Sequence, residues 1–177
     1  MLRGGVMGIL RNSIEVIGLA TEDELPKKIN GQLIEYSETD YIYVPENRPL
    51  IYSISKIEIK LNVKESRIIE APTGKIIILD GSRKLNITYR PAGYAEENYV
   101  LKFDLPFNTF IDLPNSARDI KSIDIHAVDA YFKLMNSRKI YCFIVYMINA
   151  DYKSSLENKF VESSAIEIKG INQKEYE

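Results

Sequence analysis

The chain has 177 residues, 45% apolar and 27% charged, enough for one soluble domain that buries its own core without staples. Its 23 basic and 25 acidic residues give a formal net charge of −2 and lie interspersed, which excludes the basic excess that nucleic-acid binding requires. A single cysteine, Cys142, excludes an intramolecular disulfide and a multi-thiolate zinc centre.

In chain order, residues 1–13 carry Gly4, Gly5 and Gly8 without a clear period and read as an N-terminal arm, with Val6, Ile9 and Leu10 as its apolar contacts. Arg11 interrupts the apolar run and no small-residue cleavage site follows, so no secretion signal is expected. Ile14–Ala20 is the first strand candidate. Thr21–Lys28, with its acidic start, suits a short helix or a turn, and Tyr41–Val44 is strand-like. From Lys56 to Lys64 the period is two: Ile57, Ile59, Leu61 and Val63 share one face, and Glu58, Lys60 and Asn62 the other. Asp80-Gly81 follows the apolar run Ile76–Leu79 and predicts a hairpin turn. Leu85, Ile87 and Tyr89 alternate with polar residues, as do Tyr99, Leu101, Phe103 and Leu105.

Ile123–Ala127 is another strand candidate. Val128–Met135 reads either as a turn or two of helix or as a strand with Val128, Ala130, Phe132 and Leu134 on one face. Ile140–Ile148 is apolar on both alternating faces and falls far short of the roughly 20 residues of a membrane span. It predicts a central strand covered on both faces within the monomer. The sharper alternative has Tyr141, Phe143, Val145 and Met147 covered by a neighbouring subunit. The polar tail, residues 151–177, embeds a strand-like stretch with Ile166 and Ile168 on one side, either an ordinary edge strand or a strand donated to another subunit's sheet. Frequent prolines oppose long helices. The expected fold is all-β, sandwich-like and antiparallel: a domain over residues 14–150 between two terminal arms.

Catalytic chemistry finds little support. His126 is the lone histidine, so any Ser-His-Asp or Cys-His arrangement would have to use it. Asp124 points to the same side of a strand as His126, with Asp129 nearby, but a catalytic zinc usually takes three protein ligands. Cys142 lies in apolar company, where a thiol stays protonated. No nucleophile elbow and no phosphate-binding loop is present. No catalytic, cofactor or metal residues are therefore assigned. Asn86-Ile87-Thr88 matches a glycosylation acceptor by chance. The 12 tyrosines, with Tyr36, Tyr41, Tyr43 and Tyr52 in one region, suit either sheet composition or an interface.

The prolines and strands follow a recognisable order. Leu25-Pro26 comes after the first strand, then Val44-Pro45-Glu46-Asn47-Arg48-Pro49. A strand-turn-strand ends in Tyr89, and Pro106-Phe107-Asn108-Thr109-Phe110-Ile111-Asp112-Leu113-Pro114 comes next. Val128-Asp129-Ala130-Tyr131 and Arg138-Lys139-Ile140 close the pattern. Over residues 14 to 150 this resembles the SPOCS domain of spore-envelope proteins of clostridia and related endospore formers. The resemblance carries no catalytic signature. It implies a β-rich module that builds or anchors the spore coat or exosporium, made in the mother-cell cytosol and deposited on the spore surface. Its partners would be copies of itself and other spore coat proteins, with no nucleic acid and no membrane span. One copy, with no room for a LysM domain, favours a self-assembling structural subunit. The alternative is a monomeric module recruited by a coat morphogenetic protein.

Overall fold

The computed structural model describes residues 8–11, 13–27, 31–72, 74–93 and 97–154. Period-two alternation is realised as eight strands, with no helix among the described residues: β1 (Ile9–Arg11), β2 (Ile14–Ile17), β3 (Gly31–Tyr43), β4 (Ile51–Ala71), β5 (Gly74–Pro91), β6 (Tyr99–Leu113), β7 (Ala117–Asn136) and β8 (Lys139–Ser154). They form a five-stranded sheet in the order β1-β2-β4-β5-β6 and a three-stranded sheet in the order β3-β8-β7. Every ladder is antiparallel except β2–β4, which is parallel. Alternation specifies a strand's faces but not the direction of its neighbour.

The sheets stack face to face. β5 contributes Leu85, Ile87 and Tyr89 to the core, and β8 opposes them with Ile140, Cys142, Ile144 and Tyr146. A second apolar cluster joins Ile77 and Leu79 of β5 to Ile111 and Leu113 of β6 and Ile148 and Ala150 of β8. β6 alternates, with Leu101, Phe107, Thr109, Ile111 and Leu113 buried, Phe103 and Leu105 half-buried on the same face, and Lys102, Asp104, Pro106, Asn108, Phe110 and Asp112 exposed.

Several expectations are corrected. Asp80-Gly81 is not a hairpin turn: β5 runs straight through it, and the chain reverses between the register partners Ala71 and Gly74. Glycine is required at position 81 for another reason. A β-carbon there would lie 2.4 Å from Phe107 Cζ and 2.6 Å from the Asn62 carbonyl. Opposite it, β4 has a bulge between Val63 and Glu65. Of the two readings of Thr21–Lys28, helix or turn, the structure has the turn, closed by Glu24 N–H donating to the Thr21 carbonyl (3.0 Å). Val128–Met135 is strand, but Val128 falls at a bulge and Ala127 takes the inward place. Pro106 lies within β6, an edge strand, which tolerates a residue without an N–H.

The prediction for Ile140–Ile148 is half corrected. β8 is central, but only Ile140, Cys142, Ile144, Tyr146 and Ile148 are sealed; Tyr141, Phe143, Val145 and Met147 remain half-buried on the outer face. Of the expected arms, Ile9–Arg11 pairs with β2 in the molecule's own sheet and Asp151–Ser154 continues β8.

Candidate interface on the three-stranded sheet

The ladders of β8 place its odd-numbered residues outward between matching rows from β3 and β7. Tyr141 stands between Tyr41 and Lys133, Phe143 between Thr39 and Tyr131, Val145 between Ser37 and Asp129, and Met147 between Glu35 and His126. One end of this face is aromatic. The Tyr41 and Tyr141 ring centroids are 5.8 Å apart in an edge contact, and Tyr131 and Tyr141 are 6.2 Å apart. Lys139 Nζ stands 3.9 Å from the Tyr41 centroid and 5.5 Å from that of Tyr43, within cation–π range. Tyr41 is 50% exposed and Tyr43 62%. A shallow groove lined by Tyr52, Ile54, Tyr131 and Lys133 carries the aromatic surface round the side of the sandwich.

Of the sequence-predicted contacts, the structure brings Tyr141, Phe143, Val145 and Met147 together on this face. Ile9 and Leu10 lie on the far edge of the other sheet, with Leu10 72% exposed. Val6, Ile166 and Ile168 lie outside the described residues. The tyrosine-rich region divides: Tyr36 turns inward and stacks on Tyr146 (centroids 5.8 Å), while Tyr41 and Tyr43 turn outward. Sequence reading missed Tyr131 and Lys139 as members of the face. Cross-strand partners cannot be located before the register is known.

The face is bordered by the edge strand β3, whose 13 residues pair with β8 without a bulge or a proline. Among the described residues its other side has no partner strand. The remaining edges are interrupted. β6 has Pro106, β7 has three register shifts, and the free part of β4 has its bulge and the charges of Lys60, Lys64, Glu65 and Glu70. Charges, prolines and bulges are the usual means of blunting an edge; β3 has neither bulge nor proline.

Beneath this sheet lies a buried charge. Arg83 is 1% exposed and forms ion pairs with Glu38 (2.9 Å) and Asp40, and its Nη1 donates to Tyr146 Oη (3.1 Å). It occupies the inward face of β5 between Leu79 and Leu85, where the two apolar clusters meet. Burial pushes the Tyr146 hydroxyl up to about 12, against the opposing pull of Arg83, so it stays a neutral acceptor. Burial likewise pushes the Cys142 thiol up to about 12. Asp124, His126 and Asp129 share the outer face of β7, but no group of three His, Cys, Asp or Glu side chains suited to a metal gathers among the described residues.

Three segments far apart in the chain meet at one end of the sandwich. Arg138 Nη1 donates to the carbonyls of Pro45 (2.9 Å) and Arg48 (3.3 Å), and Tyr89 Oη donates to the Pro49 carbonyl (3.2 Å). The Val44–Pro49, Tyr89 and Arg138 elements singled out in the sequence therefore form one structural unit. The family described as SipL, SPOCS domain, matches residues 50–138, from the start of β4 to the turn before β8. The chain belongs to the SPOCS-domain family. Membership marks it as a sporulation-related protein. No curated protein matches the chain, and no solved structure does. Within the matched span, the Pro106–Pro114 element is an edge strand of the SPOCS fold: Phe107, Ile111 and Leu113 face inward and Phe110 stands 61% exposed.

Proposed function

We propose that this SPOCS chain is a non-catalytic structural subunit that assembles with copies of itself in a spore surface layer or appendage. The uninterrupted β3 edge beside the apolar outer face of β8 carries the reading. An open 13-residue edge supplies backbone donors and acceptors for strand addition. The adjacent Tyr41, Tyr43, Tyr131, Tyr141, Phe143, Val145 and Met147 supply apolar area with polar tips, the composition favoured in interface cores.

One observation favours the alternative of a monomeric module docked on a coat morphogenetic protein. Open-ended growth needs two complementary surfaces, and among the described residues only β3 is free of both bulge and proline over a long edge. Multi-angle light scattering and electron microscopy of the purified protein separate the two. Self-assembly gives large regular particles that Tyr41→Lys/Met147→Lys and Ser37→Lys/Thr39→Lys convert to a folded 20.3 kDa monomer. A wild-type monomer at high concentration favours the docking module. Particles unaffected by either pair of substitutions rule out this face and edge as the contact.

A further inference from the structure

The end of the outer face away from the tyrosines has a different chemistry. Asp124 of β7 is the register partner of Asn149 of β8, and Ser122 is the register partner of Asp151. Register partners share a face, as do residues two apart on one strand. Four oxygen-bearing side chains therefore form a square on two adjacent strands: Ser122 and Asp124 on one side, Asn149 and Asp151 on the other. Ser122 Oγ lies 3.3 Å from Asp124 Oδ2, to which it donates. On the β3 side, Gly31 is the partner of Asp151 and places no side chain beside it.

Two of these oxygens lack any hydrogen bond. Asn149 is only 8% exposed, and its Oδ1 is buried without a donor. Asp151 Oδ1 is buried without a donor as well. An unmet buried acceptor costs about 1–3 kcal/mol, and more when it is charged. No cation relieves the pair of carboxylates: Lys153 and its register partner Arg118 stand one row further along, exposed, and form no ion pair with Asp124 or Asp151 among the described residues. Two carboxylates, an amide oxygen and a hydroxyl are the ligand types of a hard divalent cation. Side chains held at the fixed spacings of a sheet cannot close a strict octahedron, so they suit the flexible coordination of calcium better than magnesium.

We propose that Ser122, Asp124, Asn149 and Asp151 form a calcium-class cation site on the outer face of the β7–β8 ladder. Few charged ligands on a surface site correspond to weak affinity, with Kd on the order of 10⁻⁴–10⁻³ M. The cation would neutralise the two carboxylates and tie β7 to β8 where β7 has its largest irregularity, between Arg118 and Ser122. This holds whether or not the molecule assembles.

The test titrates CaCl2 into the full-length protein after removal of divalent ions with EGTA, following heat of binding and the thermal unfolding midpoint, with KCl at matched ionic strength as control. The expected result is a saturable heat and a rise in midpoint with CaCl2 that KCl does not reproduce. Asp124→Asn/Asp151→Asn, isosteric with the native pair, should weaken binding at least tenfold. Asn149→Asp, which adds a third carboxylate to the square, should tighten calcium binding about tenfold while lowering the midpoint in EGTA. A wild-type midpoint indifferent to CaCl2 would overturn the site. So would an undiminished response in the double variant, or an unchanged affinity in Asn149→Asp.

Discussion

Cys142 shows how one residue's chemistry follows from its face of a strand. Its same-face neighbours on β8, Ile140 and Ile144, are sealed between the sheets, and the thiol is sealed with them. Burial disfavours the thiolate and pushes its pKa up to about 12. The fold thus favours the protonated form. The stability this contributes is fully present below the ordinary thiol pKa of about 8.5 and is lost as pH rises through about 12. At pH 8 a thiol reagent should label Cys142 only as fast as the molecule unfolds, with one equivalent released in denaturant. Rapid labelling of the native protein would place the thiol at the surface. Arg83 obeys the same parity. It shares a face with Leu85, Ile87 and Tyr89, so period two alone points it inward, although Ser82-Arg83-Lys84 looks like a polar turn. Gly81 lies on that face as well, and Phe107 occupies the space that a larger residue would need.

Among the elements, the Pro45–Pro49 turn shows how the sandwich end is closed. Two prolines remove backbone donors, and the turn retains Arg48 N–H donating to the Pro45 carbonyl (3.0 Å). The Arg138 guanidinium from the β7–β8 turn donates to the same Pro45 carbonyl and to that of Arg48, while Val44 N–H donates to the Arg138 carbonyl (2.9 Å). Hydrogen bonds from a charged donor contribute about 1.5–3 kcal/mol. Arg138→Ala should therefore lower stability by about 1–3 kcal/mol in urea unfolding and speed amide exchange at Arg48. Lysine should rescue only in part, because its single ammonium has no second nitrogen to reach the Glu46 carbonyl as Arg138 Nη2 does (3.5 Å). Unchanged exchange at Arg48 would show that the turn holds itself.

At the scale of the whole molecule, the two sheets depend on β8, the central strand of the smaller one. Its last residues still pair: Asp151 with Gly31 on one side and Ser122 on the other, then Lys153 with Arg118 and Ser154 with Ala117. A chain ended at Ala150 should melt lower than one ended at Ser154. Equal midpoints for the two truncations would mean that the end of β8 adds nothing to the fold.

The sequence by itself determined the strand class, most inward faces and the family, because side-chain alternation and proline spacing are local properties written in the order of residues. Ile57, Ile59, Leu85, Ile87, Tyr89 and Leu101 all point where their parity requires. The Asp-Gly signal misled because a close cross-strand approach demands glycine as strongly as a turn does, and only the neighbouring strand distinguishes them. Tertiary structure alone decided the parallel β2–β4 pair, the bulge at Val128 and the single-sided coverage of β8. It also decided the meeting of Tyr41, Tyr131 and Tyr141, and of Asp124 with Asn149. Each of these depends on register between segments far apart in the chain, which no local pattern encodes.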